Sequence, residues 1–125
     1  MDIALINWAA VVLGTIAAFV LGMVWFSPKM FGKSWATGSH NIEPPASPPI
    51  AAMVIQFLGT AVLALVVGMT ETNEAIMTAI GAIVAVALFV AGMDLFSQKS
   101  GKATMVDAGY VVAAGALMIA AQGLL

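Results

Sequence analysis

The chain is 125 residues long, 62% hydrophobic and only 8% charged, with a net charge of −2 and no cysteine. A soluble domain carries about a quarter of its residues as charges, so this chain cannot clothe a water-exposed surface and reads as a single integral membrane domain, residues 1–125. Four lysines without an arginine leave no nucleic-acid footprint, and the missing thiols exclude disulfides and thiolate metal ligation.

Continuous apolar runs predict helices rather than the alternating strands of a barrel. The first span covers residues 5–26, and its 22 positions make about 33 Å of helix against a hydrocarbon core of about 30 Å. Asp2 and the lack of a basic residue before it argue against a cleaved leader, so the segment is expected to stay in the mature protein. Trp8 and the pair Trp25 and Phe26 mark its two ends, where amphipathic rings favour the interfaces. Pro28 then stops the helix. Gly14, Ala18 and Gly22 fall four apart and predict a helix-packing face of small residues.

Residues 28–49 form the long polar connection. Met30, Phe31 and Trp35 interleave with Lys33, which suggests a short piece lying in the interface. Four prolines between Gly38 and Pro49 predict an extended loop, and His40 stands there with no second ligand nearby. The second span covers residues 50–69 and contains Gln56, which needs a hydrogen-bond partner in hydrocarbon. A tight acidic turn follows, with Thr72 or Asn73 as the expected cap of the third span, residues 75–96. A polar turn from Ser97 to Lys102 leads to the fourth, residues 104–124.

Part of the first exit recurs seventy residues on. Ala17, Phe19, Val20, Gly22, Met23, Phe26, Ser27 and Lys29 reappear as Ala87, Phe89, Val90, Gly92, Met93, Phe96, Ser97 and Lys99, eight identities in thirteen ungapped positions. The predicted fold is therefore all-α, a four-helix membrane bundle of two parallel-repeat helical hairpins with a pseudo-twofold along the membrane normal. All four lysines (Lys29, Lys33, Lys99 and Lys102) fall in the first and third loops, while Glu71 and Glu74 fall in the second. The positive-inside rule then places the lysine loops in the cytoplasm and both termini outside.

The repeat copies differ where the first has Val24 and the second Asp94. Asp107 lies at similar depth, about one turn into the fourth span. Antiparallel neighbours would bring the two carboxylates together, with Gln56, Ser27, Ser97 and Tyr110 at comparable levels. Such a pair would hold a proton or a cation near neutral pH. The milder reading leaves each aspartate at the boundary, paired with Lys99, Lys102 or Lys33, and Asp107 in the positive first turn of its helix. One histidine and no cysteine assemble no catalytic triad and no zinc site, so neither an enzyme nor a metal or other cofactor is expected.

Asn7 and Trp8 open a pattern that continues as Gly22, Trp25, Phe26, Ser27, Pro28, Phe31, Gly32, Lys33 and Trp35, with Gly109 and Tyr110 in the fourth span. In these residues the chain resembles the small bacterial four-helix membrane proteins catalogued as domain of unknown function 1761. Asp107 departs from that pattern, where an amide or apolar residue is expected. The resemblance implies the four-span fold and a bacterial cytoplasmic (inner) membrane, and it brings no activity.

Two functions from different classes follow. The first is a non-enzymatic membrane protein that self-associates through its small-residue stripe as a homo-oligomer, with an assembly or scaffold role, within the bilayer or a larger membrane complex. The alternative is a small proton- or cation-coupled transporter or channel whose polar site is Asp94, Asp107 and Gln56.

Overall fold

The computed structural model describes residues 3–125; Met1 and Asp2, the latter used above to read the N-terminus, lie outside the described residues. A 3-10 turn at Ile3–Leu5 precedes helices α1 (Trp8–Trp25), α2 (Gly32–Gly38), α3 (Ile50–Glu71), α4 (Ile76–Phe96) and α5 (Gly101–Leu124), and no strand occurs among the described residues. Four of these helices are long and apolar enough to cross a membrane, with mean hydropathy between 1.6 and 2.5. Outward-facing Phe89, Phe96, Met77 and Met105 are all more than 70% exposed. That much bare hydrocarbon suits lipid and not water, so the chain is a multi-pass membrane protein.

Local chemistry sets the ends. The Asn7 side chain accepts from the Ala10 N–H at 3.1 Å and caps α1, so the helix starts three residues later than the apolar run suggests. Ser100 does the same for α5, accepting from Ala103 N–H at 3.0 Å. α5 therefore begins at Gly101 rather than 104, and Asp107 sits almost two turns inside it, beyond the first turn where the helix dipole would favour a carboxylate. The expected cap of the third span is also corrected. Thr72 closes α3 and bonds back to the Met69 carbonyl at 2.7 Å, while α4 starts after Ala75 with no side-chain cap.

The predicted interfacial piece is α2, a helix of seven residues. It lies against the start of α5: the Ser100 N–H donates to the Gly38 carbonyl at 2.9 Å, and His40 Nε2 meets the Ser97 carbonyl at 2.8 Å. The first and third loops, with all four lysines, therefore share one end of the bundle. The α3–α4 turn lies at the other, where Gly68 of α3 faces Gln122 of α5 and Ile6 before α1.

α5 is the central helix. It packs along α1 and α4 and under α2, while α3 rests mainly on α1. The core is built of small residues (Ala10, Ala18, Ala64, Ala79, Ala103 and Ala114) around Ile83, Tyr110 and Met118. Small side chains let backbones approach where burial of apolar surface supplies no drive, because lipid is as apolar as the protein. A methyl group added at Gly115 would stand 2.5 Å from Ile83. The stripe Gly14, Ala18 and Gly22 faces α5 in the same way, Gly14 against Met118 and Gly22 against the Tyr110 ring. This face is thus occupied within the chain and is not available to a second copy.

The two repeat copies have unlike surroundings. Phe26 is tucked against Trp35 and Tyr110, whereas its counterpart Phe96 is 92% exposed. α1 packs closely on α5, but the pair that a twofold would make equivalent, α4 and α3, barely touches. The two exits also close differently: the Ser27 N–H donates to the Val24 carbonyl at 3.1 Å, whereas its counterpart Ser97 donates to Met93 at 3.0 Å, one residue earlier in the repeat register.

Candidate functional site

At the lysine-bearing end, helix geometry brings together charges that the sequence separates. Asp94 comes from the last turn of α4, Lys99 from the α4–α5 turn and Asp107 from α5. The Lys99 ammonium lies 3.3 Å from Asp107 Oδ2 and 3.7 Å from Asp94 Oδ1. The α4–α5 turn positions it: Gln98 adopts a left-handed φ of 61°, and the Lys99 N–H donates to the Asp94 carbonyl at 3.0 Å, folding the chain back. The side chains of Lys99, Asp94 and Asp107 are 22%, 13% and 15% exposed. Two carboxylates thus share one cation in a largely desolvated place, and with both ionised the cluster carries a net charge of −1. Asp94 Oδ2 is buried with no hydrogen-bond partner.

Trp35 of α2 covers this cluster. Lys99 Nζ lies 5.2 Å from the centre of the Trp35 ring, within cation–π range. Phe26 packs edge-on against Trp35 with centroids 5.6 Å apart, and Trp25 meets Phe31 at 4.7 Å with the rings tilted by 55°. Trp25 also donates its indole N–H to the Val106 carbonyl at 3.0 Å, and Gly109 lies beside the same ring. Tyr110 donates to the Ala18 carbonyl at 2.7 Å. Most residues of the motif quoted above therefore meet at one joint, where α1 turns into α2 against α5. Lys33 and Pro28 are exposed, and no contact of theirs explains their place in the motif.

Beside the cluster lies a cavity of about 630 Å³ lined from all five helices. Phe19, Phe26 and Trp35 form aromatic walls, and Met23, Met53 and Val90 add apolar surface. Gln56, Asp107 and Tyr110 are its polar groups. Met23, Met53 and Gln56 are exposed and form its rim. The volume falls within the range of small-molecule pockets, about 300–1,000 Å³.

The structure brings Asp94 and Asp107 together on Lys99, and Asp107, Gln56 and Tyr110 onto one cavity. It separates the two serines. Ser27 donates to the Val24 carbonyl of its own helix at 2.7 Å, and Ser97 contributes its carbonyl to His40. Trp35 and Lys99 are the participants that sequence reasoning placed elsewhere: the ring as an interfacial anchor, the lysine as one of several partners. No local signal marks Trp35 for this role, because the packing of α2 on the start of α5 is a tertiary contact.

Among the described residues no group of three or more His, Asp or Glu side chains is arranged to hold a metal ion. In comparison with known proteins, a family model described as "Protein of unknown function (DUF1761)" matches residues 9–122. No curated protein and no solved structure matches.

Proposed function

From the premise that the chain belongs to the DUF1761 family, whose description names no activity, we propose that it is a small proton- or cation-coupled carrier of the bacterial inner membrane. One observation carries this reading: two carboxylates from different helices share a single ammonium beside an open cavity inside the bundle. Charges in a membrane helix are costly, about 2.5–3.5 kcal/mol each at the centre, and tend to mark ion or substrate paths. A structural ion pair would need one aspartate for one lysine. The second aspartate, facing the cavity, is surplus to that need.

In this reading Asp107 takes up the cation or proton, Lys99 holds the empty site together, and α2 covers it. The lysine loops lie in the cytoplasm and both termini outside, as four lysines against none require under the positive-inside rule. A reporter fused after Leu125 that works only outside the membrane should be active; activity of a cytoplasm-dependent reporter there would invert this topology. The protein is proposed as non-enzymatic. A scaffold role through the Gly14–Ala18–Gly22 stripe is the weaker reading, because α5 covers that face.

Proteoliposomes with an entrapped pH-sensitive dye test the carrier reading. Under an interior-negative potential and an inward proton gradient, vesicles holding the protein should acidify faster than protein-free ones. Asp107→Asn should remove most of the excess. A wild-type rate equal to that of empty vesicles, or an unchanged Asp107→Asn rate, sinks the proton-coupled form of the reading.

A further inference from the structure

We infer that the cavity between α1, α3 and α5 binds a lipophilic organic monocation, whose charged centre replaces Lys99 on Asp107. The inference rests on the carrier reading for its biological sense and deepens it by naming the class of substrate.

Charge is the first argument. With both carboxylates ionised, the single ammonium leaves a deficit of one positive charge, and of the two only Asp107 lines the cavity. A monocation arriving there brings the site to neutrality, with Lys99 retained by Asp94. A neutral ligand leaves the deficit in place, and an anion deepens it. Burial raises the stake, since charges in a low-dielectric site interact far more strongly than in water.

The walls are the second argument. Phe19, Phe26 and Trp35 present ring surfaces, and aromatic faces attract organic cations within about 6 Å. Met23 and Met53 at the rim are flexible and polarizable, suited to apolar bodies of varied shape. Few hydrogen-bonding groups line the space, so a strongly hydrated ion such as an alkali metal finds too few oxygens to replace its water. A bulky cation with a thin hydration shell has no such requirement.

Trp35 links binding to the cover. Its ring lies both on Lys99 and on the cavity. When a ligand takes Asp107, the Lys99–Trp35 contact is exchanged for a ligand–Trp35 contact, so occupancy should change the environment of this indole.

Tetraphenylphosphonium is a suitable probe, measured by equilibrium dialysis against the full chain in phosphatidylcholine nanodiscs, which lack anionic headgroups. Saturable binding of one cation per chain is expected, with triphenylphosphine oxide, a neutral aryl analogue, about tenfold or more weaker. Asp107→Asn should abolish that preference, and Ala52→Phe, which adds a ring to the cavity wall and leaves all three charges intact, should weaken binding. Folding of both variants is checked by helical circular dichroism and a monodisperse elution. Equal binding of cation and neutral analogue overturns the inference and points to a lipid acyl chain as the occupant. No saturable binding, or binding insensitive to Ala52→Phe, overturns it as well. Binding without proton flux removes proton coupling and leaves the pocket; flux without binding removes the pocket and leaves the carrier.

Discussion

Lys99→Ala should destabilise the protein by about 3 kcal/mol, the largest effect expected from any single change of charge. The substitution leaves two carboxylates, 13% and 15% exposed, sharing a corner of the bundle with no cation between them. Removing one partner of a buried ion pair costs about 3–5 kcal/mol, because the remaining charge is desolvated and uncompensated. The three side chains are partly exposed, which favours the lower figure. Neutralising the aspartates in the same background, as Lys99→Ala with Asp94→Asn and Asp107→Asn, should recover most of the loss. Thermal or SDS unfolding in detergent micelles measures both. A loss under about 1 kcal/mol would mean that the cluster behaves as a solvated surface pair.

Gly32→Ala should be nearly as damaging for a different reason. None of the glycines among the described residues has a positive φ, so backbone conformation is not what this position demands. Space is. A Cβ at Gly32 would run into the Phe26 carbonyl oxygen and come within 2.8 Å of the Ser27 carbonyl. These are backbone atoms at the turn where the Gly32 N–H itself donates to the Ser27 carbonyl at 2.9 Å. They cannot rotate away as a side chain would. Overpacking of this kind costs typically 1–3 kcal/mol, and backbone neighbours put the estimate at about 3. α2 should lift, carrying Trp35 off Lys99. The readouts are a lowered melting temperature, a red-shifted tryptophan emission and faster proteolysis between Ser39 and Pro49. Gly81→Ala is the control: nothing lies within 4 Å of that position. It should be neutral or stabilising by up to about 1 kcal/mol. If both alanines behave alike, the close approach at Gly32 is not what holds α2.

The amino-acid sequence by itself determined the medium, the number of spans and their approximate limits. Hydrocarbon admits only segments whose backbone bonds are satisfied internally, so apolar length alone specifies a helix there. That is why all four predicted spans lie within three residues of a helix at both ends, the two largest offsets being set by the caps at Asn7 and Ser100. The gathering of the lysines at one end followed from counting spans.

Tertiary structure decided what that pattern could not. Gly14, Ala18 and Gly22 announced a close neighbour, but small residues do not name it, and the neighbour is α5 of the same chain. Asp94 and Asp107 announced a cost in lipid, but only the α4–α5 turn sets Lys99 between them and Trp35 above. The repeated exit motif did not by itself specify how its two copies pack. Its two copies face opposite environments, Phe26 inside and Phe96 outside, because only α1 is followed by a helix that folds back over the bundle. Apolar periodicity carries no direction when every face of a helix is apolar. Which side of each span meets protein, and which meets lipid, was therefore left to packing.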